Sequence, residues 1–157
     1  MSHVSPLFTP SYRHTEVPMK RVTCIILAAL TLAAMPLRAQ DSEMAASAQA
    51  AALSWLALTD SAAYSESWEQ AAGLFQAAVS KTSWVNTIQA VRSPLGSLKS
   101  RKLRSATFTR SVPGAPAGEY VIIQYEAQFD QKPNAIETVT PMREKDGSWK
   151  VSGYYIK

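Results

Sequence analysis

The side chains best suited to hold a ligand in this 157-residue chain are Arg92, Arg101, Tyr120 and Glu137, polar groups set beside apolar faces. Arg92 follows Ile88 by four residues and Trp84 by eight, at the end of an expected helix. A guanidinium there can hold a carboxylate or phosphate at the mouth of a cavity. It can equally serve as a helix C-terminal cation, favoured by the dipole, with its stem packed on Trp84. Tyr120, Tyr154 and Tyr155 fall near expected sheet ends, and Tyr154 and Tyr155 must point oppositely. A buried phenol needs a partner, so Arg92 or Glu137 is expected to pair with one of these tyrosines. Arg101 belongs to a basic run with Lys99, Lys102, Arg104 and Arg110, interrupted by Leu103 and Phe108. Such a run either meets an acidic partner or protects an edge strand from pairing with another sheet.

Covalent chemistry has little to draw on. His3, His14 and Cys24 all lie in the first 24 residues, and no His or Cys follows them. The rest of the chain cannot assemble a Ser-His-Asp or Cys-His arrangement, and a zinc site would need carboxylates alone. There is no phosphate loop of the Gly-x-x-x-x-Gly-Lys type and no dinucleotide fingerprint. Neither a metal nor a cofactor is expected. The enzymatic alternative is a small hydrolase or isomerase built on carboxylate and Tyr groups, with Glu126 and Glu137 on adjacent strands as the pair.

The amino-terminal residues look like an address. Met19-Lys20-Arg21, an uncharged apolar run from Cys24 to Ala34 and a small residue at Ala39 form a secretory signal over 19–39. The run is too short to span a membrane, which takes about twenty apolar residues. Residues 1–18 hold Pro6, Pro10 and Pro18 without apolar periodicity and read as an upstream extension. Cys24 opens the apolar run instead of following it, which argues against lipid attachment there. Cleavage near Ala39/Gln40 removes Arg13, Lys20, Arg21 and Arg38 with Glu16 alone, so most of the formal net charge of +4 leaves with that segment. A periplasmic or secreted product with almost balanced charge has no bulk attraction for nucleic acid.

The elements that must position these groups are legible from periodicity. Residues 40–53 are Ala-rich, and Met44, Ala48, Ala52 and Trp55 recur at helical spacing. Asp60-Ser61 interrupts this and can cap the next element. A second helix is expected to present Tyr64, Trp68, Ala71, Ala72 and Phe75, loosened at Gly73. Ser80 caps a third with Trp84, Ile88, Val91 and Leu95 on one face, ended by Ser93-Pro94 and Gly96. At this spacing the aromatics read as core. After Gly96 the period becomes two. Strand character surrounds Ala106-Thr107-Phe108-Thr109, and in 119–130 the odd positions Val121 to Phe129 face one way while Ile122, Gln124, Glu126 and Gln128 face the other. Asp146-Gly147 signals a two-residue hairpin pairing Lys145 with Ser148, Met142 with Val151 and Thr138 with Tyr155. Pro141 places its strand at an edge or at a bulge. The expected fold is a single α+β domain over 40–157, three N-terminal helices on one face of a curved four-stranded antiparallel meander.

Several spaced motifs carry a family likeness. Trp55-Leu56, Asp60, Tyr64, Ser67-Trp68 and Trp84 are followed by Arg92-Ser93-Pro94-Leu95-Gly96, Arg101 and Pro113-Gly114-Ala115-Pro116. Gly118-Glu119-Tyr120, Glu137-Thr138-Val139 and the tail Trp149-Lys150-Val151-x-Gly153-Tyr154-Tyr155-Ile156 complete the set. In this order they resemble the bacterial domain-of-unknown-function family 4019, over about residues 45–157. The resemblance implies a short exported protein and a cystatin-like or nuclear-transport-factor-2-like plan, but no activity, substrate or catalytic residue. That superfold hosts enzymes, binders and inert scaffolds alike. The function expected is therefore a non-catalytic domain that binds a small or peptide-like ligand, or another envelope protein. The sequence leaves its oligomeric state open.

Overall fold

Ala-rich sequence with no Gly, and with Pro36 confined to the first turn where no N–H is needed, sustains α1 (Met35–Asp60), which begins before residue 40 and buries Met44, Ala48, Ala52, Trp55, Leu56 and Thr59 along one stripe. The computed structural model describes residues 35–157, with side chains from Ala39 onward. The expected upstream extension and most of the secretory signal, with His3, His14 and Cys24, lie outside the described residues. No described helix is long and apolar enough to cross a membrane.

The second expected helix is in fact two, α2 (Tyr64–Glu69) and α3 (Gly73–Ala78). The break has a tertiary cause: Ala72 is extended and its N–H donates to the carbonyl of Val151, 2.8 Å away in the sheet. Gly73 thus opens a helix where loosening of one was expected. The Ser80 hydroxyl accepts the Ser83 N–H and starts α4 (Lys81–Arg92). Its buried face is Trp84, Ile88 and Arg92, while Val91, expected among them, is 40% exposed. A 3₁₀ turn at Ser93–Leu95 ends at Gly96, whose φ of +75° and tight approach to Asp130 exclude a side chain.

The sheet is an antiparallel meander in the order β1 (Leu98–Thr109), β2 (Tyr120–Phe129), β3 (Ala135–Arg143), β4 (Trp149–Ile156). β2 alternates as expected, with Val121, Ile123, Tyr125, Ala127 and Phe129 buried beneath the helices. β1 is an edge, which suits its charges. β3 is interior, and it tolerates Pro141 through an irregularity between Thr140 and Pro141.

The hairpin corrects the expected register. Its loop has three residues, with Glu144 N–H bonded to the Ser148 carbonyl at 2.7 Å and Gly147 at φ +86°. Met142 therefore meets Lys150, and Val151 meets Pro141, one residue off expectation. Ser152, the extra residue of a bulge, restores the register, so Thr138 does pair with Tyr155. The bulge also decides which tyrosine enters the fold: Tyr154, beside Val139, faces the helices and Tyr155 faces solvent.

The main apolar cluster joins α1, α3 and α4 to the sheet through Trp55, Phe75, Trp84, Ile123 and Val139, with Tyr64 and Trp68 of α2 packed against it. A smaller one gathers Ala127, Phe129 and Ala135 with Leu95, Leu98 and Ile156.

Candidate functional site

Five polar side chains converge on the helix-facing side of the sheet, each delivered by a different element. Asp60 is the last residue of α1, Arg92 the last of α4, and Arg101, Glu137 and Tyr154 point inward from β1, β3 and β4. Arg92 Nη1 donates to Glu137 Oε1 at 3.0 Å and to the Tyr154 hydroxyl at 3.2 Å, while its Nη2 donates to Asp60 Oδ1. Arg101 Nε donates to Glu137 Oε2 at 2.6 Å. Its Nη1 and Nη2 grip Asp60 bidentately at 2.8 and 3.0 Å. Tyr154 completes the circuit by donating to Glu137 Oε1 at 2.7 Å.

The apolar surroundings fix this geometry. Tyr154 packs on Trp55 with ring centroids 5.5 Å apart, and the Arg92 guanidinium lies over Phe129, 4.7 Å from its centroid. Glu137 is fully buried and the Arg92 side chain 5% exposed, whereas the Asp60 side chain is 22% exposed at the rim. Two guanidiniums against two carboxylates leave no net charge, the condition under which such burial is tolerable. Burial opposes the charge on Arg101, yet bonds to Asp60 and Glu137 hold its pKa above the ordinary value. Burial likewise opposes the charge on Arg92, but Tyr154 and Asp60 raise its pKa overall. Burial first, then the Glu137 charge, pushes the Tyr154 hydroxyl well above its usual range. Tyr125 lies beneath the same cluster, opposite Glu137 across the ladder. Its hydroxyl is buried without a hydrogen-bond partner, and burial pushes its pKa up to about 12.

Arg92, Arg101 and Glu137 thus come together as expected, and the anticipated tyrosine partner of Arg92 and Glu137 is Tyr154. Tyr120 does not join them. It sits at the opposite end of β2, opposite Met142, where its hydroxyl donates to the Pro116 carbonyl at 2.8 Å. The supposed Glu126–Glu137 pair is also corrected. Neighbouring positions on paired strands put Glu126 on the exposed outer face and Glu137 on the buried inner one. Of the basic run, Lys99 pairs with Asp130 at the surface, Lys102 stands across from Glu126, and Arg110 approaches Glu119.

Asp60, expected with Ser61 as a cap for the following helix, is instead a member of the cluster: the residue before α2 is Ala63, and no side chain caps it. A carboxylate at the C-terminal end of a helix opposes the dipole and calls for a cation, which was the available signal. Among the described residues no group of His, Cys, Asp and Glu is arranged to hold a metal ion.

Beside the cluster opens a depression of about 210 Å³, lined by Thr59, Asp60, Tyr64, Arg92, Ser93 and Ser97 among others. A larger one of about 380 Å³ lies on the outer face, with Ser100, Lys102, Glu126 and Gln128 in its wall. Its charged groups, Lys102 and Glu126, are exposed cross-strand neighbours. The smaller depression has in its wall Arg92, held from within by Glu137 and Tyr154, and Asp60, which joins Arg92 to Arg101, and it is the candidate site despite its lesser volume.

A family model described as a protein of unknown function (DUF4019) matches residues 51–154, a span that contains all five clustered side chains. No curated protein and no solved structure matches the chain.

Proposed function

The chain belongs to the DUF4019 family, and we propose that it is an exported, non-catalytic binding domain whose recognition site is the Arg92–Arg101 rim with the adjoining depression. One observation carries this reading. Two buried guanidiniums are held by Glu137 and Tyr154 from inside and reach the open edge of the fold at Asp60. Preorganised donors of this kind bind anions without first having to be ordered. Residues that carry the family likeness, Asp60, Tyr64, Arg92, Ser93, Gly96, Arg101, Glu137 and Tyr154, gather at this one end of the molecule. The helix-then-meander layout accords with a cystatin-like or nuclear-transport-factor-2-like plan, in which the helices and the sheet leave such a mouth between them. The periplasm is its place of action, where it meets a small or peptide-like ligand or another envelope protein.

The test is a map of amide ¹H–¹⁵N shifts for the 40–157 form, titrated with organic acids, sugar phosphates and short peptides. At least one class is expected to produce saturable shifts at residues 60–64 and 93–97. Ser97→Trp, which fills the depression and leaves all five clustered side chains in the sequence, is expected to abolish them. Saturable shifts confined to the outer face at 124–128 and 134–136, or no response to any class, would overturn the reading.

A further inference from the structure

We infer that the Arg92–Arg101 pair is a carboxylate site which the chain's own Asp60 occupies, and that the ligand is a carboxylate that takes Asp60's place. This rests on the reading above and names its ligand class. The two carboxylates of the cluster have unequal roles. Glu137 is fully buried and accepts from Arg92, Arg101 and Tyr154, so it anchors both guanidiniums whether or not Asp60 is present. Asp60 stands at the rim and receives three N–H bonds, two of them in the planar fork by which an arginine binds any carboxylate.

Charge fixes the class of the replacement. Without the Asp60 carboxylate the cluster holds two cations against one anion, a residual +1 in a partly buried place. A single carboxylate restores neutrality, whereas a doubly charged phosphate overshoots by one.

Local forces also oppose the position of Asp60. It lies at the negative end of the α1 dipole. Two residues later Ala62 adopts φ +59°, a left-handed conformation that is unfavourable for a residue with a Cβ. Backbone bonds from Ala62 to Thr59 and from Ala63 to Leu58 hold the turn itself, whereas the Asp60 carboxylate is held by the two arginines, so an outside carboxylate that takes over their bonds frees that side chain to turn outward. The depression beside Asp60, with Tyr64 and Ser93 in its wall, gives the rest of the ligand room.

The experiment is chemical complementation of Asp60→Ala in the 40–157 form, its fold checked by far-ultraviolet circular dichroism. Asp60→Asn takes its place if the alanine variant does not fold. At neutral pH and constant ionic strength, sodium acetate is expected to raise the variant's thermal midpoint saturably, and chloride is not. The wild-type chain should need at least about tenfold more acetate, because its own carboxylate competes at high effective concentration. Triglycine should act like acetate and triglycinamide should not. Triglycine acting at lower concentration than acetate assigns a peptide C-terminus as the ligand, and the reverse order assigns a small organic acid. Stabilisation by phosphate or chloride as strong as that by acetate would overturn the inference, as would no response to any of these anions. The binding reading itself stands or falls on its separate shift map.

Discussion

Arg92 shows how one side chain can close a fold. Its guanidinium bonds two carboxylates and a phenol from three different elements and covers a phenylalanine ring. Arg92→Ala leaves the fully buried Glu137 with half its cationic partners. Breaking a buried pair in this way costs about 3–5 kcal/mol, to be read from the urea midpoint of the 40–157 form. A loss below about 1 kcal/mol would mean that the pair is solvated like an exposed surface pair. Tyr125 gives the opposite expectation. Its hydroxyl is buried unpartnered, so Tyr125→Phe removes an uncompensated polar atom and should leave stability unchanged or raise it by about 1 kcal/mol. The sequence disclosed Arg92, Arg101 and Glu137 as a group because each is a polar residue beside an apolar pattern. It could not disclose that Tyr120 would turn to Pro116, since a phenol finds its partner through the path of a turn.

The elements were legible wherever their pattern is local and were misread wherever a distant strand intervenes. Ser80, the Trp84–Ile88 spacing and the alternation of β2 announce themselves in a few residues. The division of the second helix does not, because it depends on a hydrogen bond from Ala72 to Val151. Asp146-Gly147 located the hairpin, but a two-residue turn was expected where three residues form the loop. The compensating bulge at Ser152 matters for the site, because it brings Tyr154 to Glu137 and leaves Tyr155 outside. Gly147 holds φ +86° at the end of that turn. Gly147→Ala should therefore lower stability by about 1–2 kcal/mol. Near-ultraviolet circular dichroism should stay unchanged, because the strain lies at the hairpin tip, away from the aromatic cluster. A spectrum altered at the tryptophans would show that the turn controls packing across the whole sheet.

For the whole molecule, the cluster binds the ends of α1 and α4 to three strands and so couples helix layer to sheet. The layer plan was legible from order alone, helices first and then a meander, because the period changes from helical to two at a single place, after Gly96. Coupling through buried phenols has a pH signature. The pKa of Tyr125 and that of Tyr154 are both raised in the folded chain, above the value of about 10 for unfolded tyrosine. Between these limits the unfolded chain has released protons that the folded chain retains, so stability is full below about pH 10 and falls as pH rises through about 12. Phenolate absorbance should show these two tyrosines ionising together with loss of circular dichroism; ionisation in a chain that keeps its fold would contradict the burial described. The central claim is that Glu137 holds the two arginines in place and Asp60 only occupies them. The most direct measurement is solvent exchange of the Arg101 Nε proton, which donates to Glu137, observed by nitrogen-15 NMR. Protection retained in Asp60→Ala and lost in Glu137→Gln is the predicted result; protection lost equally in both variants would contradict it.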